Sequence, residues 1–178
     1  MVFRKGTQED IPAICRIYDA THTLEEQGGS SIGWIRGIYP TEETARQSID
    51  RGDMFVAEEA GQIVGTAIIN QTQVDVYENA PWRYPAADDE VMVLHTLVID
   101  PAQARRGYGR KFVEFYEAYA LEQGCPFLRM DTGEINRAAR ALYKRLGYRE
   151  VGLVQAVFNG IPGMKLVCLE KKIGGEET

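Results

Sequence analysis

The sequence is short of the residues from which metal centres and disulfide frameworks are built. It has two histidines and three cysteines in 178 residues. Cys15, Cys125 and Cys168 have no paired spacing, their number is odd, and each sits among apolar neighbours. A disulfide scaffold is therefore excluded, no metal is expected, and reduced thiols in a cytoplasmic protein are the better reading. No apolar run is long enough to cross a bilayer, and Met1-Val-Phe-Arg-Lys5 has no apolar signal core. Positive charge is scarce as well: the net charge is -6 and the pI about 5.1. Such a protein binds nucleic acid and anionic membranes poorly, so neither is expected as a partner. Repeats, low-complexity segments and internal linkers are absent too.

What remains is ordinary globular composition, with 44% hydrophobic and 26% charged residues, enough for one domain with a real core. Residues 1–173 are read as that domain and 174–178 as a frayed polar tail. Val2 to Lys5 reads as a strand. Ile11, Ile14, Ile17 and Tyr18 recur at helical spacing behind Thr7, Asp10 and Pro12, until Gly28-Gly29 breaks the helix. Pro40-Thr41 opens a second helix that Gly52 closes. Met54 to Glu59 and Gln62 to Asn70 form a hairpin around Ala60-Gly61. Gln71 to Glu90 is mixed in character and is taken as an irregular insertion able to act as a lid. Further on come a helix from Gly109 to Gln123, a strand from Pro126 to Thr132, a helix from Asn136 to Leu146, and strands Tyr148 to Phe158 and Met164 to Lys171 around Asn159-Gly-Ile-Pro-Gly163.

The stretch that organises the chain is Val91 to Lys111. Val91 to Ile99 is a β-branched apolar run, hence a buried strand, and Asp100-Pro101 ends it. Gly107-Tyr108-Gly109 then leads into a helix. Strand, glycine turn and helix start present free backbone N–H groups to an anion. Arg105, Arg106 and Arg110 add positive charge there. The P-loop signature Gly-Lys-Ser/Thr is missing, and so is the third glycine of the dinucleotide fingerprint. A phosphate- or pyrophosphate-binding turn remains, with coenzyme A as the common ligand that fits.

Four short motifs now stand in register: Leu97-Val-Ile-Asp-Pro101, Arg106-Gly-Tyr-Gly109, Asn136-Arg-Ala-Ala-Arg-Ala-Leu-Tyr143 and Leu146-Gly-Tyr148. Together with the element order they resemble the GCN5-related N-acetyltransferase (GNAT) family. The resemblance implies an α/β (α+β) fold with a mixed, mostly antiparallel central sheet flanked by helices, and a splayed strand pair at the cofactor site. It implies an N-acetyltransferase that moves an acetyl group from acetyl-CoA to an amine of a small molecule or peptide by direct attack. The alternative from another class is a non-catalytic CoA-binding domain of the same fold. Pairing of two copies through terminal strands is also implied.

By the same resemblance, the backbone of Leu97, Val98 and Ile99 pairs with the pantetheine arm, and the N–H of Val98 polarises the thioester carbonyl. Arg105, Arg106, Gly107, Tyr108, Gly109 and Arg110 wrap the pyrophosphate, Asn136 bonds the arm, and Tyr143 reaches the sulfur as acid. Ala104 stands where members usually carry Gln or Arg, and Val93 where others carry Glu or His. His95 is the candidate base, with water relaying to Glu90 or Asp75 as its rival. The acceptor pocket is expected between the Thr21 to Tyr39 loop, the Gln71 to Tyr84 insertion and the Asn159 to Gly163 hairpin, with Glu25, Glu26 and Trp34 able to receive a cation.

Overall fold

The computed structural model describes residues 1–174; the expected tail beyond Gly174 lies outside the described residues. Seven strands form one sheet: β1 (Val2–Lys5), β2 (Met54–Glu59), β3 (Gln62–Asn70), β4 (Val91–Ile99), β5 (Phe127–Gly133), β6 (Arg149–Phe158) and β7 (Ile161–Lys172), in the order β1-β2-β3-β4-β5-β7-β6. Every neighbouring pair is antiparallel except β4 with β5. That exception follows from connectivity, since a helix carries the chain from the end of β4 back to the start of β5.

Helices cover both faces: α1 (Ile11–Glu26) and α2 (Glu42–Arg51) on one, α3 (Tyr108–Glu122) and α4 (Arg137–Arg145) on the other. Strand alternation sorts the core accordingly. Met54 and Val56 pack with Ile14, Ile17 and Tyr18 of α1. Phe55 and Ala57 pack with Phe112, Val113 and Tyr116 of α3. Each fully buried side chain of this size contributes roughly 1.5–3 kcal/mol.

The register of β4 against β3 contains the irregularity that matters. Ile68 faces His95 and Thr66 faces Val98, so Thr96 and Leu97 together oppose Ala67. Thr96 takes a φ of 50°, left-handed for a β-branched residue. The bulge exchanges the faces of the strand. Before it Met92 and Leu94 look towards α3; after it Leu97 and Ile99 do so, and Val98 joins the α1 side. It also ends the parallel ladder. β4 pairs with β5 only over Val91 to Leu94 and Phe127 to Met130, after which each strand follows its other neighbour.

Two expectations need correction. The segment between β3 and β4 is not a free lid: Tyr77 is 2% exposed and packs with Val91, Val93 and Cys168. The turn between β6 and β7 is shorter than Asn159 to Gly163. Asn159 and Gly160, at φ of 51° and 77°, complete a two-residue hairpin, and β7 begins at Ile161.

Just before the strands part, Tyr116 Oη donates to Met92 O at 2.6 Å and approaches Arg129 O at 3.3 Å. One buried hydroxyl thus ties β4 to β5. Tyr116→Phe is expected to lower unfolding free energy by about 1 kcal/mol, the net value of such a bond; urea unfolding measures it, and an unchanged midpoint would mean the ladder alone satisfies both carbonyls.

Candidate active site

Where β4 and β5 diverge, a cavity of about 620 Å³ opens. Leu97, His95 and Thr96 of β4, Asp131 and Thr132 of β5, and Asn136 and Tyr143 of α4 line it. Trp34 and Tyr39, the Glu43, Gln47 and Arg51 stripe of α2, and Phe158 and Asn159 complete the lining. Of the residues expected at the site, Leu97, His95, Asn136 and Tyr143 are therefore brought together.

Backbone direction along β4 can be read from one bond. Asp100 N donates to Val64 O at 2.9 Å, so by the alternation of an antiparallel ladder Val98 also turns its N–H to β3. Leu97 and Ile99 turn theirs into the gap. This corrects the expectation for Val98, whose side chain is buried against α1 and whose amide is committed to the sheet. Leu97 is the donor that faces the cavity.

Arg105 and Gly107, with φ of 64° and 77°, bend the chain so that successive N–H groups converge at the start of α3. Among the described residues no protein acceptor is found for the N–H groups of residues 105–110. Arg105 and Arg106 are exposed, and Arg110 is exposed with its guanidinium on Glu114 at 2.7 Å. Tyr108 buries its ring in the core and contributes only its amide. A Cβ on Gly109 would meet Leu142 at 3.4 Å and Ile99 at 3.8 Å, so this glycine lets α3 sit close to the gap. An anion at this helix start, with an extended chain running into the gap towards Leu97, fits these free donors.

Asn136 caps α4, accepting from Ala139 N at 3.1 Å. That uses its oxygen and leaves the amide nitrogen as a donor. Tyr143 is buried, its ring edge-on to Tyr148 at 5.9 Å. Burial, reinforced by Asp131, holds its phenol well above the usual value, so it keeps its proton.

His95 lies in the cavity, but its surroundings oppose a basic role. Asn70 Nδ2 donates to Asp53 Oδ2 at 2.9 Å, which turns Asn70 Oδ1 towards His95 Nε2 at 3.0 Å. The ring proton is thereby held on Nε2. Burial pushes the imidazole down to about 4, leaving it neutral and weakly basic near pH 7. The rivals fare worse. Glu90 is exposed and accepts from its own Ala87 N, Asp75 is exposed, and neither lines the cavity.

The carboxylate that does line it is Asp131, which the sequence reading passed over. Its signal was a lone acid among Leu128, Met130 and Thr132 in a buried strand. Tyr77 Oη donates to Asp131 Oδ2 at 2.6 Å, and burial raises the carboxyl to about 6. The proposed cation site at Glu25 and Glu26 dissolves for a local reason. Glu25 receives Ser30 Oγ, Ile32 N and Gly33 N, and Glu26 pairs with Arg36 on the surface.

With this geometry in hand, comparison with known proteins decides the family. The sequence model of the acetyltransferase (GNAT) family matches residues 11–148. The chain belongs to the GNAT acetyltransferase family. It is an acetyl-CoA-dependent acyltransferase on that footing. An uncharacterised N-acetyltransferase of Bacillus subtilis is 27% identical over 160 residues, 89% of this chain and 97% of that one. Human N-acetyltransferase 8 is 29% identical over 104 residues, 58% of this chain, and the match spans only 41% of the human protein. A GNAT-family acetyltransferase structure from Streptococcus agalactiae superposes with a TM-score of 0.77 at 22% identity, covering 98% of this chain and 96% of that one. A Salmonella typhimurium protein solved with acetyl-CoA gives 0.70 at 17% identity, covering 100% and 96%.

The raised Asp131 carboxyl has a consequence for stability. The folded value, about 6, lies above the unfolded one near 4. Its stabilising contribution is therefore present below about pH 4 and is lost as pH rises through 6. At neutral pH the native state carries the cost of an enclosed charge. Asp131→Asn, which still accepts from Tyr77, is expected to gain about 1–3 kcal/mol at pH 7.5 and nothing at pH 4. Denaturant unfolding at the two pH values checks this; equal stabilities at pH 7.5 would mean the carboxylate is solvated.

Proposed function

We propose that this GNAT protein transfers an acetyl group from acetyl-CoA to a primary amine, on a small molecule or a peptide, by direct attack in the cytoplasm. The observation that supports it most is the convergence of Asp131, Tyr143 and the Leu97 amide on one cavity where β4 and β5 part. When bound, acetyl-CoA supplies the acetyl group as an activated thioester. The amides of Leu97 and Ile99 and the Asn136 amide nitrogen hold its arm, and the donors of residues 105–110 hold its diphosphate.

Asp131 acts as the base. Raised to about 6, it is ionised at pH 7 yet close enough to neutrality to hold a proton. It takes the proton from the amine nitrogen as that nitrogen bonds to the carbonyl carbon. Leu97 N–H donates to the carbonyl oxygen while negative charge builds there. Tyr143, protonated at pH 7 before the step, gives its proton to the sulfur as the carbon–sulfur bond breaks. Solvent then takes the proton from Asp131 and returns one to the Tyr143 phenolate. His95 stays neutral and forms part of the wall.

Direct attack is favoured over an acyl-enzyme because no cysteine is placed to attack. Cys15 is absent from the cavity lining, and Cys125 and Cys168 are buried with their thiols pushed up by desolvation. The acceptor end mixes the apolar walls of Trp34, Phe158 and Met164 with Glu43 and Gln47. That suits an amine carrying modest apolar bulk.

Calorimetry with CoA and acetyl-CoA is expected to give saturable heat, and a thiol-release assay over a panel of polyamines, aryl amines and alanine-terminated peptides to give turnover. Heat without thiol release from any amine would favour the non-catalytic CoA-binding reading, and no heat would end both. Tyr143→Phe is expected to slow turnover about 10²-fold and Asp131→Asn about 10²–10⁴-fold, the range for acid–base catalysis. His95→Gln is expected to leave the rate little changed. A loss at His95 equal to that at Asp131 would transfer the base role to the imidazole.

A further inference from the structure

The segment between β3 and β4 is fastened more heavily than a surface connection requires. Arg129 of β5 and Glu170 of β7, directly paired across the strands, are 6% and 2% exposed. Buried charges are costly unless fully bonded, and both here bond to this segment. Arg129 Nη2 donates to Tyr84 O at 3.0 Å and Nη1 to Gln73 Oε1, while its guanidinium lies 4.4 Å from the centre of the Trp82 ring. Glu170 accepts Arg83 N at 2.9 Å and Tyr84 N at 3.3 Å. Trp82 Nε1 donates to Tyr77 O at 2.9 Å, and the two rings meet edge-on at 5.1 Å. The chain of contacts ends at one place, the Tyr77 hydroxyl on Asp131 Oδ2 at 2.6 Å.

We propose that Tyr77 is a positioning residue for acetyl transfer, and that the segment carrying it is clamped so that its hydroxyl fixes one Asp131 oxygen and leaves the other turned to the acceptor amine. The proposal rests on the reading of Asp131 as base. The second oxygen, Oδ1, has no protein partner among the described residues, and Asp131 lines the cavity. The other groups facing this carboxylate are Tyr143 from α4, Tyr39 from the α1–α2 connection and Cys168 from β7. All are neutral at pH 7, so none competes with Tyr77 as a charged partner. Tyr77 itself stays protonated, since burial and then Asp131 raise its phenol well above the usual range.

A hydroxyl donating to a carboxylate favours the ionised form. Tyr77→Phe keeps the ring and its packing and removes only the donor. With aspartate labelled at the carboxyl carbon, and the Asp131 signal assigned by its loss in Asp131→Asn, the wild-type resonance is expected to titrate near 6. In Tyr77→Phe its midpoint is expected to rise by about one pH unit, a usual size for one such bond. The acid limb of kcat/KM, measured with the fastest amine of the panel, should move with it. Incorporation of 3-fluorotyrosine at position 77, a more acidic donor, should move the midpoint the opposite way. A midpoint unmoved by either change overturns the proposal, because a merely structural tyrosine would leave it in place. If instead Asp131→Asn keeps full turnover while the midpoints shift, it is the base reading that fails.

Discussion

Everything at this site depends on one extra residue in β4. Two residues, Thr96 and Leu97, oppose the single Ala67. An antiparallel pair cannot absorb that mismatch without bending, and a bent β4 cannot stay parallel to β5. Three consequences follow together. The ladder opens after Leu94, the amides of Leu97 and Ile99 lose any strand partner, and the apolar side chains exchange faces so that Val98 can close the α1 core. With no strand partner, these N–H groups are free to pair with another extended chain. A slender pantetheine arm, which offers amides at strand-like spacing, is chemically matched to those donors. Tyr39 from the α1–α2 connection donates or accepts at the Thr96 hydroxyl, so the bulge is also held by a side chain from outside the sheet.

Charge is distributed with similar economy. Burial acts in opposite directions on the two titratable groups beside the gap, lowering His95 and raising Asp131. Both changes disfavour the charged form, but only the one at Asp131 leaves a group near the point where a proton is exchanged easily at physiological pH. His95 is further fixed by the line His95, Asn70, Asp53 and Arg51, in which Arg51 Nε lies 2.9 Å from Asp53. That line ends on α2 and is a wall of defined polarity. It is not a proton path, because the Asn70 amide in its middle cannot pass a proton on.

Much of this was legible in the sequence, for identifiable reasons. β1 to β4 lie where alternation and apolar runs place them, and the Thr41 cap and Gly52 stop bound α2 within a residue, because local chemistry decides those ends. The glycine turn before α3 and the Asn136 cap were visible because special backbone conformations demand special residues. What was hidden depends on contacts distant in sequence. No local pattern in Val91 to Ile99 reveals which amide faces the gap, since the answer needs the register against β3. Asp131 was passed over because its neighbours read as strand, and its partner Tyr77 lies 54 positions away. The segment from Gln71 to Glu90 looked like a lid because its prolines and aromatics have no period. Only the buried Arg129 and Glu170 disclose that it is bolted down.

The gap and its surroundings are built from two kinds of group, and this decides how far likeness of fold can carry a conclusion. The cofactor end is made chiefly of backbone donors: strand amides, a glycine turn and a helix start. Such donors exist whatever the side chains are, so a chain only 22% identical to a solved relative can still superpose over 98% of its length. The rest of the cavity lining includes side chains from the α1–α2 connection, α2, the segment before β4 and the β6–β7 hairpin. None of these is constrained by the diphosphate or the pantetheine arm. Glu43 and Gln47 project from one helix at a spacing of four and bond to each other, so changing either would alter the pocket without touching a strand. The family is shown by the sequence model over residues 11–148 and the likeness of backbone shows the fold, while the acceptor is to be read from the shape and charge of this chain's own side chains and not inherited from a neighbour.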